Sequence, residues 1–282
     1  MKSRLLCRKQ SMKPTDQAAW WNIIRNIGNY VGRDEVEAAA QIARNRILSM
    51  TAGKRAAYSW SGGKDSLVIA DLCRSVGITK CQCLITDVEY PVWERFLRLN
   101  APSGCEIVEV GFGLHYLQEH PEMIFPKGKT FQKWYKMVQQ NNFISYIKRA
   151  NLDVVILGHR TIDGNICGTG GVRERPGGGI LYAPIYDWSH ELLFAYLHYH
   201  NIKLPFIYQW KDGFYQGTHW WPARKAESME QGYREVYEID KSVVINAAAV
   251  LPSAKKFLES DNRNVGDERS HKETFGVETP EA

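Results

Sequence analysis

A short apolar run, Ala56 to Trp60, turns through Gly62 and Gly63 into a segment whose apolar residues Leu67, Val68, Ala70, Leu72 and Val76 recur at helical spacing up to Gly77. This predicts a buried strand, a tight turn and an amphipathic helix, the opening unit of a sheet whose connections are helical. The glycine pair lets backbone N–H groups face an anion, and the helix N-terminus adds partial positive charge at the same point. Ser61 and Ser66 can donate hydroxyl hydrogen bonds and Lys64 can carry a phosphate charge. Asp65 is out of place in an anion site unless a cation such as Mg²⁺ accompanies the ligand. The turn therefore points to a metal-nucleotide.

The spacing is not G-x-x-x-x-G-K-[ST], because the lysine follows the glycine pair directly. Ser61-Gly62-Gly63-Lys64-Asp65-Ser66 resembles the PP-loop of the ATP pyrophosphatase superfamily, and within it the phosphoadenosine phosphosulfate (PAPS) reductase-like proteins. The resemblance implies an adenine nucleotide ligand, held by Ser59 and the loop residues Ser61 to Ser66.

Strand and helix patterns alternate after this unit. Strands are predicted at Cys81 to Thr86, Glu106 to Val110 and Ile180 to Ile185, with a short apolar run at Val154 to Leu157. Helices are predicted after Pro91, over an aromatic region from Thr130 to Ala150, and from Ser189 to His200. The expected fold is α/β, a doubly wound, mainly parallel, Rossmann-like sheet, with ligands beyond the C-terminal strand ends. Residues 1–55 are expected to form a helical N-terminal extension with a basic arm, 56–258 the nucleotide-binding domain with a C-terminal cover, and 259–282 a disordered acidic tail. Trp20 and Trp21 in the extension suit core packing, an oligomer contact or base stacking.

Further motifs follow the predicted strands. Thr86-Asp87-Val88-Glu89-Tyr90-Pro91 resembles a family turn of T-G-x-x-F-P type with Asp87 replacing glycine, which implies base and ribose contacts around Ile85 to Asp87. Gly158-His159-Arg160-Thr161-Ile162-Asp163 resembles the signature G-x-R-x-x-[ED]. There Gly158 permits close approach, Arg160 offers a planar fork for phosphate or sulfate, and Asp163 can orient the arginine or bind metal. Arg173 and Arg175, flanked by glycines, are expected on a mobile loop that closes over the substrate. Pro184-Ile185-Tyr186-Asp187-Trp188-Ser189 resembles the family's P-I-x-x-W-[ST] segment and reads as structural.

Composition narrows the chemistry. The 282 residues carry a net charge of +5, and residues 1–13 alone contribute five positive charges without an acid. That arm suits nucleic acid, an acidic partner or a simple solvated terminus. The six cysteines lack C-x-x-C spacing, so neither a zinc ribbon nor an iron–sulfur cluster is signalled; reduced thiols and a cytoplasmic location without membrane contact are the expectation. Sulfonucleotide reductases carry a late E-C-G-x-H-like segment whose cysteine attacks sulfur. The matching residues here are Tyr215-Gln216-Gly217-Thr218-His219, with Gln216 at the cysteine position, and Cys167 is the last cysteine of the chain. The resemblance therefore implies an enzyme that uses ATP and Mg²⁺, with Asp65 at the metal and Lys64, Asp65 and Arg160 catalytic. ATP would be cleaved between its α and β phosphates to adenylate an acceptor the sequence does not name. Sulfonucleotide reduction, and a non-catalytic nucleotide-sensing or nucleic-acid-associated role, are the alternatives.

Overall fold

Two helices precede the sheet, and both are drawn into its core by single apolar faces. The computed structural model describes residues 14–175, 178–216, 218 and 226–261; the basic arm, most of the acidic tail and the side chain of Gln216 lie outside the described residues. Helix α1 (Pro14–Arg25) and helix α2 (Arg33–Thr51) bury Trp20, Val36, Ala40, Ala43 and Ile47. Their spacing of three and four places one stripe against the protein, with α1 and α2 packing on the last helix of the sheet domain.

The chain then alternates β1 (Ala56–Ser59), α3 (Lys64–Ser75), β2 (Cys81–Thr86), α4 (Pro91–Asn100) and β3 (Cys105–Val110). Pro91 starts α4 where its missing N–H costs nothing. Helices α5 (Leu114–Glu119), α6 (Gly128–Tyr135) and α7 (Asn141–Arg149) return the chain to β4 (Val154–Ile156), with a five-residue π-turn, Lys136–Gln140, joining α6 to α7. Strands β5 (Val172–Glu174) and β6 (Ile180–Tyr182) form a hairpin, and α8 (His190–Tyr199) follows, capped by Ser189, whose Oγ accepts from the Leu192 N–H at 3.1 Å. Short α9 (Gly213–Gln216), then α10 (Met229–Ile239), α11 (Lys241–Ala248) and a helix over 252–261 complete the described chain.

The six strands lie in the order β3-β2-β1-β4-β6-β5, all parallel except β5, which runs antiparallel to β6 at the edge. From β1 the chain builds outward through β2 and β3, then returns to lay β4 on the other side of β1. The loops after β1 and β4 therefore diverge across a crevice at the point where strand order reverses. Side chains alternate between two cores. One face holds Ala57, Val155, Leu157 and Leu181 against Phe143, Tyr146 and Ile147 of α7, and the other holds Tyr58, Cys81, Cys83, Val154 and Ile156 under α2, α3 and α8.

One expectation is corrected by β5. Arg173 and Arg175 do not sit on a free loop: Arg173 pairs with Leu181 in the sheet, and the Arg175 N–H donates to Gly179 O at 3.0 Å, closing the hairpin. Backbone N–H and C=O groups in this stretch find partners on β6, and that pairing outweighs the glycines.

Candidate active site

The loop after β1 is built around a backbone that only glycine tolerates. Gly62 has φ of +67°, and a Cβ there would meet Leu97 Cδ2 at 2.7 Å, so the turn is pressed directly onto α4. Ser66 ties the loop together, accepting from the Ser61 N–H at 3.2 Å and donating to Gly63 O at 2.9 Å. The phenol of Tyr208, from the segment after α8, accepts from the Lys64 N–H at 2.9 Å and so caps α3 from outside. Across the crevice, Gly158 touches the start of α3. A Cβ on it would lie 2.9 Å from the Asp65 carbonyl carbon, so this glycine is what lets the β4 loop meet the β1 loop.

Where they meet, four charges close on one another. Asp65 accepts from Lys64 Nζ at 2.6 Å and from Arg160 Nε at 2.7 Å, and Arg160 Nη2 reaches Asp163 at 2.7 Å. Lys64 Nζ also lies 3.7 Å from Asp163. The remaining guanidinium donors go to Ser189 O at 3.1 Å, Trp188 O at 3.3 Å and His190 Nδ1 at 3.3 Å. Because Arg160 can only donate, His190 Nδ1 accepts and the neutral ring, which packs edge-on against Trp20, carries its proton on Nε2. Burial pushes the Asp65 carboxyl upward, but the charges of Lys64 and Arg160 outweigh it and hold it below the ordinary carboxylate range. Burial and the Arg160 charge hold His190 down at about 3.

Side-chain exposure sorts these residues: 3% for Lys64, 0% for Arg160, 8% for Asp163 and 24% for Asp65. The carboxylates face the crevice while both cations turn inward. Arg160 thus differs from its expected place as a phosphate fork: its donors are consumed by two carboxylates, two carbonyls and an imidazole, and it does not line the cleft. Lys64 is likewise turned away from the cleft.

The cleft has a volume of about 470 Å³, within the range of small-molecule sites. Its floor is Ser59, Ser61, Gly63, Asp65, Ser66, Gly158 and Asp163, with Leu84 and Thr86 from the end of β2. Thr86 is held by Glu89, whose Oε1 accepts from the Thr86 hydroxyl at 2.9 Å. Asp87 is exposed and lies against Gly113 outside the cleft, and buried Ile85 points to the opposite core, so the anticipated base contacts around Ile85 to Asp87 reduce to Thr86. Of Arg173 and Arg175, Arg173 lines the cleft and donates from Nη1 to Ile166 O at 3.1 Å, while Arg175 does not line it.

Residues not anticipated from the sequence supply the opposite wall: Phe131, Trp134, Tyr135, Val138, Gln139, Gln140 and Phe143, with Tyr208 and Thr218 at one end. His159 also lines the cleft, and burial together with Arg173 holds its imidazole down at about 4. Cys167 is buried, its thiol pushed up by burial, and it does not line the cleft. Of the reductase-like segment, Thr218 reaches the site; Gly217 and His219 lie outside the described residues. Among the described residues no helix is long and apolar enough to cross a membrane, and no cluster of three or more His, Cys, Asp or Glu is arranged to hold a metal.

A parallel sheet reversed at β1/β4, with a Ser-Gly-Gly-Lys-Asp-Ser loop at the reversal, is the architecture of the PP-loop adenine nucleotide alpha hydrolase-like superfamily. Residues 55–236 match the phosphoadenosine phosphosulfate reductase domain, and the chain belongs to that family. Comparison with curated protein sequences gave no match. Among solved structures, the chain is similar to a PAPS reductase from Candida auris (11% identity, 64% of this chain and 92% of that one, TM-score 0.47). It is also similar to an NH3-dependent NAD synthetase from Campylobacter jejuni (15% identity, 88% and 98%, TM-score 0.44). A third is an NMN synthetase from Francisella tularensis (17% identity, 88% and 99%, TM-score 0.45). At these scores the likenesses add nothing to the strand order described above.

Proposed function

We propose that this chain uses Mg-ATP to adenylate an acceptor and releases pyrophosphate. The observation that carries the reading is the inward turn of Lys64 and Arg160, which leaves Asp65 and Asp163 as the charged groups at the loop end of the cleft. Arg173 is the one formally cationic lining residue among those described. The cluster's charges cancel internally and Arg173 is the one described cation facing the cleft, so a polyphosphate would be left under-neutralised there, which favours entry with a divalent cation. Two carboxylates fit Mg²⁺ in the manner usual for nucleotide enzymes, where substrate phosphates and water complete the shell. Asp65 and Asp163 would hold the ion, which when bound neutralises charge on the phosphates.

The chain's own residues have the remaining tasks. The loop N–H groups and the hydroxyl of Ser61 bind the phosphate end, Ser66 holds the loop in shape, and the aromatic wall bounds the opposite side of the cleft. The acceptor atom bonds to the α-phosphorus, the bond to the bridging oxygen breaks with its electron pair leaving on pyrophosphate, and the acceptor proton passes to water. Lys64 and Arg160 act as positioning residues that fix Asp65 and Asp163. The acceptor is left unassigned, and nucleic acid or an acidic partner would engage the basic arm of residues 1–13.

The family match favours a second reading, sulfonucleotide reduction. Against it stand the buried, cleft-averted Cys167 and the scarcity of cations for a ligand with anionic groups at both ends. The test measures pyrophosphate from Mg-ATP and sulfite from PAPS or adenylylsulfate with a thiol reductant, in parallel. Pyrophosphate without sulfite supports adenylation; sulfite without pyrophosphate overturns it in favour of reduction; tight ATP binding without either product favours a binding role.

A further inference from the structure

The π-turn Lys136–Gln140 places two neutral amides where a regular helix would place one. On the helical stretch 128–149, residues facing inward run Phe131, Trp134, Tyr135 and Val138, and then resume five positions later at Phe143, Tyr146 and Ile147. The extra residue is absorbed by the wide turn, which is held by Asn142, whose Nδ2 donates to Val138 O at 3.0 Å and Met137 O at 3.3 Å. Because of that widening, Gln139 and Gln140 both line the cleft. Neither side-chain amide has a protein hydrogen-bond partner among the described residues, although both are half-buried. A wide turn of this kind is costly and short, and such turns recur at functional sites.

The cleft is also chemically divided. The loop end carries hydroxyls and carboxylates, whereas the π-turn end carries the stacked rings of Phe131 and Trp134, 5.5 Å apart and inclined at 27°, with the two free amides beside them. Flat apolar surface next to an amide suits a heterocycle better than a phosphate. Adenine offers its N6 amino group as donor beside N7 as acceptor, which one primary amide satisfies with two bonds. Guanine offers two acceptors on that edge, so the same amide makes one bond and leaves its carbonyl unpaired.

We propose that the π-turn is the base-reading element of the site, with Gln139 and Gln140 selecting adenine and Phe131 and Trp134 forming the wall against which the base rests. This rests on the adenine-nucleotide reading above. The test is calorimetric binding of Mg-ATP, Mg-GTP and Mg-pyrophosphate to the full chain and to Gln139→Ala/Gln140→Ala. The expected result is a wild-type preference for ATP over GTP that falls about tenfold in the double variant, the equivalent of one or two hydrogen bonds, with pyrophosphate affinity unchanged. An unchanged ATP preference in the variant, equal loss of ATP and pyrophosphate affinity, or a wild type that binds ATP and GTP alike, overturns the base-reading role and leaves the proposed reaction standing. A wild type that binds pyrophosphate but no nucleoside triphosphate overturns the adenylation reading itself, and the base-reading role with it.

Discussion

Replacing Arg160 should cost stability before it costs chemistry. The guanidinium is fully buried and makes five contacts, to Asp65 and Asp163 at 2.7 Å, to two carbonyls and to His190. In Arg160→Met the two carboxylates keep only Lys64 as counter-charge, and breaking a buried ion pair from one side costs about 3–5 kcal/mol. Arg160→Lys keeps the charge but offers three donors in place of five; losing two such bonds costs roughly 3 kcal/mol. Against a typical domain stability of about 5–15 kcal/mol, either variant should unfold at visibly lower urea, followed by tryptophan fluorescence. Removing a carboxylate as well restores the charge balance, so Arg160→Met/Asp163→Asn should be less destabilised than the sum of its single changes by about 1 kcal/mol or more. If Arg160→Lys unfolds like the wild type yet loses pyrophosphate binding, Arg160 touches ligand directly and the internal tie is refuted. Strict additivity in the double variant would refute it by another route.

Asp65→Asn is expected to abolish the Mg²⁺ dependence of ATP binding, read by calorimetry with and without the ion; unchanged affinity in both conditions would remove Asp65 from the metal's surroundings. Gly158→Ala forces a Cβ onto the Asp65 backbone and should destabilise by about 1–3 kcal/mol in urea unfolding, whereas a neutral change would show that the β4 loop can yield. Cys167→Ser should leave pyrophosphate release unaltered, and loss of a sulfite-forming activity in this variant would favour the reductase reading. Burial and Arg160 hold the His190 imidazole at about 3 against an ordinary 6.5, so between those values the unfolded chain binds a proton that the folded chain refuses, and stability falls with falling pH. His190→Gln, which keeps an acceptor for Arg160, should lose about 2 kcal/mol less than wild type between about pH 7 and about pH 5; equal losses in urea midpoints would count against a neutral buried His190.

Periodicity made the parallel sheet legible, because each strand from β1 to β4 is a short apolar run followed by a turn or helix signal, and the loops after β1 and β4 carry small residues where backbones must approach. Strand β5 escaped because an edge strand has one pairing partner and little burial, so Val172-Arg173-Glu174 between glycines reads as a loop. The π-turn had a sequence signal: the apolar stripe jumps five residues from Val138 to Phe143, where a regular helix steps three or four. Reading 130–150 as one aromatic helix hides that jump, and with it the wall of the site.

The direction of Arg160 was not legible for a different reason. A strand-end arginine near a phosphate loop can face outward to ligand or inward to carboxylates, and the choice is made by residues far along the chain. Trp188, Ser189 and His190, at the junction of β6 and α8, supply the acceptors that draw it inward. Lys64 and Asp65 come from the junction after β1, Asp163 from that after β4, and Tyr208 from beyond α8 caps the same loop. The charged cluster is thus the tie that holds the segments after β1, β4 and β6 in register. Because its charges cancel internally, the loop can be rigid before ligand arrives, and the surface it turns to the cleft is carboxylate and hydroxyl. On the proposed reading, electrostatic attraction for the phosphates would come chiefly with the incoming cation, and metal dependence of binding is the outcome that this packing predicts.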